Sequence, residues 1–157
     1  MTWHSLPARA RTLFYLQAFS RLALFWLPAT AVAVAALTSA WSLRGALGVG
    51  GAWLLFQGLL AVWMPALEHA HFAWTERDSD LLVSRGVLVR TVTAIPAQRI
   101  QHVDVRQGLL ERSLGLARLM VYTASGAGAD GVIPGLTLDT AEALRDRLVS
   151  VGGDDGV

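Results

Sequence analysis

The chain has 157 residues, 54% of them hydrophobic, and a mean hydropathy of +0.45. Its net charge of +1 is unevenly spread: up to Leu67 there are four arginines and no acid, and beyond it nine arginines and twelve acids. A mildly acidic second part without a basic run excludes nucleic-acid binding as a main activity, and the absence of cysteine excludes disulfides, thiolate nucleophiles and cysteine-ligated metals.

Residues 1–21 mix Trp3, Phe14, Tyr15 and Phe19 with Arg9, Arg11 and Arg21. Aromatic and arginine side chains beside an apolar block suit the headgroup zone of a bilayer, so this stretch is expected to be an interfacial segment. Leu22 to Leu67 follows, an apolar region broken only by Arg44 and free of acids. It divides into spans at about 22–43 and 45–67. Each is long enough for a helix crossing a hydrocarbon core of about 30 Å, and the short gap between them makes a hairpin. A signal peptide is the rival reading of the first block. Its apolar region exceeds the usual length of about 7–15 residues, and a second span follows at once. Arginines before the first span and at Arg77 and Arg85 after the second, against Arg44 between them, place both termini in the cytoplasm by the positive-inside rule.

Ala29, Ala33, Ala36 and Ala40 share one face of the first span, and Ala46/Gly50 and Gly48/Ala52 are spaced by four in the second. Small residues at this spacing let helix backbones approach in lipid. The hairpin packing on itself is favoured over a dimer seam because the helices are tethered. Neither span carries a charged residue or a broken helix, so the hairpin reads as an anchor and not as a transport path.

After Glu68 the period changes from helical to two. Strands are expected at 71–75, 81–85, 87–93, 100–107, 118–124 and 132–134, with one helical turn at 109–113. In 100–107, Gln101, Val103 and Val105 face one way and His102, Asp104 and Arg106 the other, the pattern of a strand with one wet face. Pro134 confines its strand to a sheet edge. A closing helix begins near Asp139, with Glu142 as its capping partner and Ala141, Leu144, Leu148 and Val151 as its apolar stripe; 152–157 is expected to be a tail. The fold class that emerges is a two-helix membrane hairpin (22–67) followed by a mainly β domain (68–151) closed by a C-terminal helix.

Three motif-like stretches are weak on chemical grounds. His69 and His71 offer two imidazoles beside Glu68, where zinc needs three or four ligands, so they stand as weak metal candidates against a plain juxtamembrane linker. Gly126 to Gly131 spells GxGxxG, but a strand and not a helix follows it, which removes the helix N-terminus that a dinucleotide needs. Glu76, Asp78 and Asp80 lack the glycine and distal glutamate of a calcium loop. No serine, histidine and acid stand in a nucleophile context, so no catalytic, cofactor-binding or metal residues are assigned.

The segments Asp80-Leu-Leu-Val-Ser-Arg-Gly-Val-Leu, Thr93-Ala-Ile-Pro-Ala-Gln-Arg-Ile-Gln-His-Val and Gln107-Gly-Leu-Leu-Glu-Arg-Ser-Leu-Gly-Leu, with the later Val121-Tyr-Thr-Ala and Ile133-Pro-Gly-Leu, resemble the bacterial PH-like domain of YdbS-type membrane proteins over about 74–149. The resemblance implies a seven-stranded bent sheet or partial barrel with a C-terminal helix, in the bacterial inner membrane. It implies binding and not a reaction, since the fold hosts lipid, peptide and protein ligands. The expected function is a non-enzymatic scaffold at the cytoplasmic face, without cofactor, acting through self-association or a second PH-domain membrane protein. Arg99, Gln101, Arg106 and Arg112 in the best-matching stretch are the candidate partner surface; the alternative is that they are polar framework, with Glu111 and Arg112 paired. Binding of anionic lipid headgroups is the alternative function. Against it, acids occupy the first strand turn, where phosphoinositide-binding PH domains carry basic residues.

Overall fold

A computed structural model describes residues 2–38, 42–77, 79–124 and 128–153. Ala40, Asp78, Gly126 and residues 154–157 of the expected tail, all used in the sequence reading, lie outside these. The chain forms two compact units, 14–67 and 1–13 with 68–157.

The first unit is helical. α1 (Ala8–Arg21) begins in the other unit and continues through a π-helical turn at Leu22–Trp26 into α2 (Leu27–Leu37), and α3 runs from Leu43 to His71. Pro28, which has no N–H and whose ring crowds the carbonyl four residues earlier, follows the π turn directly; widening the helix there relieves the clash. Both Ala8–Leu37 and Leu43–His71 are long and apolar enough to cross a membrane. The two helices meet where Gly50 lies against the side chains of Val34 and Thr30, and the Trp26 and Trp53 rings sit edge to face at 5.7 Å. Ala29 and Ala33 line the same groove, so the hairpin packs on itself there through Gly50. Gly48 and Gly51, on other faces of α3, have no neighbour within 4 Å of an added Cβ.

The second unit holds two sheets. One has the order β1–β2–β3–β4 (His4–Ser5, Ala73–Glu76, Asp80–Arg85, Thr91–Pro96); the other has the order β5–β6–β7 (Ile100–Arg106, Leu116–Thr123, Gly131–Thr137); all pairings are antiparallel. β1 comes from the far side of the hairpin in sequence and pairs His4 with Trp74 and Ser5 with Ala73. The stretch read as interfacial from its aromatics thus supplies a strand, with Leu6, Ala10 and Leu13 buried behind it. Gly135, at φ +68°, stands in a bulge of β7, and a Cβ there would come within 2.6 Å of the Ala10 Cβ; only glycine accepts both the backbone and the approach.

Leu81, Val83, Ile95, Val103, Leu119, Val121 and Ile133 form the core between the sheets. The closing helix α5 (Leu138–Gly153) buries Ala141, Leu144 and Leu148 against it, and Arg147 Nε reaches Glu76 Oε2 on β2 at 3.0 Å. Three expectations are corrected. The N-cap is Thr137, whose Oγ1 accepts from the Thr140 N–H at 3.3 Å, because the helix starts one residue before Asp139. Val151 is 42% exposed, about one turn beyond the buried Leu148. The first strand begins at Ala73 because α3 continues through His71.

Candidate functional site

β5 and β6 pair His102 with Tyr122, Asp104 with Met120, and Arg106 with Arg118. The intervening residues Val103, Leu119 and Val121 are buried, so alternation sends these six side chains to the opposite, wet face. Asp104 is its centre. Its Oδ1 lies 2.6 Å from His102 Nε2, and its Oδ2 accepts from Arg106 Nη2 at 2.8 Å. The Arg106 hydrogen bonds, with His102 alongside, hold the Asp104 carboxyl below the usual carboxylate range, and the same contact raises the Arg106 guanidinium. The His102 and Tyr122 rings stand 5.7 Å apart, and the Tyr122 hydroxyl points at Met120 Sδ at 3.8 Å.

Next to this row, helix α4 (Leu109–Ser113) carries Glu111, buried at 3% exposure and ion-paired with Arg118. Gly108 leaves room for it: a Cβ there would fall 2.5 Å from Glu111 Oε2. Glu111 therefore pairs with Arg118 and not with Arg112, which the helix turns outward into solvent. The result is a fixed strip of aromatic ring, thioether and paired charges, on strands whose other face is core. Such a strip can recognise a complementary surface. It presents no activated nucleophile.

The sequence-predicted residues are scattered along this region. Arg99, Gln101, Arg106 and Arg112 are all exposed, but Arg99 stands in a 3₁₀ turn (Ala97–Arg99) before β5 and Arg106 at its far end, about 20 Å apart at the rise of a strand. Gln101 sits in a bulge between Ile100 and His102. Arg106 alone of the four joins the Asp104 row; His102, Asp104, Met120, Tyr122, Arg118 and Glu111 were missed as a group. The alternation of β5 pointed to His102 and Asp104, but their β6 partners depend on register.

His69 and His71 do not converge. Both lie in α3, and at 100° per residue positions two apart diverge. His69 Nε2 instead meets the Pro7 carbonyl oxygen at 3.1 Å. Among the described residues, no three His, Asp or Glu side chains gather in a way that could hold a metal ion.

Comparison with known proteins decides the family, because a bacterial PH domain family model matches residues 13–150. The chain belongs to the bacterial PH domain family. The transmembrane protein YdbS of Bacillus subtilis strain 168 is 31% identical over 110 residues, covering 68% of this chain and 67% of that protein. The transmembrane protein YdbT of the same strain is 23% identical over 90 residues, covering 54% of this chain but only 18% of its own length. A crystal structure of a protein with a pleckstrin-homology domain from Shewanella loihica PV-4 aligns over 52% of this chain and 70% of its own, with TM-score 0.40 and 11% identity. With two long apolar helices and relatives named as transmembrane proteins, this bacterial PH domain protein is a membrane protein carrying a PH-like module.

Proposed function

We propose that the chain is a non-enzymatic scaffold of the bacterial inner membrane, with both termini in the cytoplasm. The hairpin anchors the PH-like module, and the module binds another protein through the wet face of β5 and β6. The single observation that carries this reading is Asp104 holding His102 and Arg106 in one fixed row beside Tyr122 and Met120. Pre-ordered charges and an aromatic ring lower the entropic cost of docking and favour recognition over chemistry. Self-association and pairing with a second PH-domain membrane protein are both served by such a face.

The test is the mass of the full chain extracted in mild detergent from its native membrane. The reading expects an oligomer or a complex with a second membrane protein, disrupted by Asp104→Asn with Arg106→Glu. A monodisperse monomer without a partner overturns it.

A further inference from the structure

The turn between β3 and β4 carries side chains that a solvated turn does not call for. Turn tips are ordinarily glycine, asparagine, aspartate or proline, yet here Val87, Leu88 and Val89 follow Gly86, with Leu88 93% and Val89 78% exposed. The turn is built to hold that shape. Gly86 has φ +110°, and any Cβ there would collide with the Val89 carbonyl oxygen, so the chain folds back tightly and projects the aliphatic side chains. Arg85 and Arg90 flank the tip, and Arg90 Nε donates to Ser84 Oγ at 3.0 Å, fixing its stem against β3. Isolated exposed leucines are ordinary; an aliphatic tip framed by two arginines on a rigid turn is not.

Register shows which end of the sheet this is. β2 starts at Ala73, immediately after α3 ends at His71, and Ala73 pairs with Ser84. The tip therefore projects from the sheet end at which β2 begins. The acids Glu76 and Asp80 lie at the opposite end, where Glu76 pairs with Leu81 and Asp80 with Pro96. The end of the sheet at which β2 begins is thus basic and apolar, whereas at the far end Arg77 pairs with Asp80 and Arg147 with Glu76.

We infer that Leu88 and Val89 seat in the headgroup–acyl boundary of an anionic bilayer, with Arg85 and Arg90 on lipid phosphates. Aliphatic side chains enter that boundary while arginine heads stay at headgroup level. This contact uses residues separate from the Asp104 face.

The absence of native cysteine makes the test direct. Leu88→Cys and, in a second protein, Gln98→Cys each give a single spin-label site in the full chain, reconstituted into vesicles of phosphatidylcholine with or without phosphatidylglycerol. Gln98 is exposed and follows Ala97, whose N–H bonds the Ser79 carbonyl at the far end of the sheet. The expected result is a label at position 88 relaxed by oxygen more than by a water-soluble nickel complex in anionic vesicles, and an aqueous label at 98. Adding Arg85→Gln and Arg90→Gln should shift the inserted population about fivefold per arginine. A position 88 as aqueous as 98 in both lipids overturns the inference. So does a label shielded from both relaxants, which marks a protein covering the tip.

Discussion

The Arg118 guanidinium closes on the buried carboxylate of Glu111, bracing α4 against the middle strand of the β5–β6–β7 sheet. Truncating one partner of a buried pair leaves an uncompensated charge, at a cost of about 3 kcal/mol, reduced here because the Arg118 side chain is 40% exposed. Arg118→Ala is expected to destabilise the module by about 1–2 kcal/mol. Glu111→Ala together with Arg118→Ala should cost less than the two single changes summed, in a double-mutant cycle by denaturant unfolding.

Asp130 gives a pH dependence. Its Oδ2 accepts from the Thr123 N–H at 2.8 Å and the Thr123 hydroxyl at 2.7 Å, and these bonds lower its pKa. A carboxylate depressed in the folded state adds stability above its unfolded value and loses it as pH falls through the folded value. Wild type should therefore be more stable than Asp130→Asn at neutral pH, and the gap should narrow as pH falls below about 4. Unfolding midpoints measured against pH check this; a gap that does not change with pH contradicts it.

Gly50 sets the approach of α2 and α3. An added Cβ would meet Val34 Cγ2 at 2.5 Å, and overpacking of this kind costs about 1–3 kcal/mol. Gly50→Leu is expected to lower the thermal midpoint of the detergent-solubilised protein. Gly51→Leu, at a position with no neighbour within 4 Å, should leave it near wild type.

The parts of this fold that were legible in the sequence are those where local pattern decides. The two apolar blocks announce helices by length, and the alternation of 100–106 announces a strand with one wet face. β1 was not legible, because two residues carry no period and His4 finds Trp74 only after the hairpin has reversed the chain. The end of α3 was misplaced because the alternation of 71–75 drew His71 into the strand, whereas the helix runs through His71 and the strand starts at Ala73. Glu111 was matched to its neighbour Arg112, whereas a helix turns adjacent residues 100° apart and Gly115, at φ +65°, folds β6 back to supply Arg118. The Asp104 row depends on which β6 residue faces which β5 residue, and a slip of one would send every side chain to the other face.

Assembly through the Asp104 face is checked by the mass of the full chain in mild detergent, by light scattering behind size exclusion. Wild type is expected to be an oligomer or a defined complex, and to shift to monomer on Asp104→Asn with Arg106→Glu, both at exposed or half-buried sites where the fold should survive. A wild-type monomer without a partner, or an assembly unchanged by the double substitution, would contradict it.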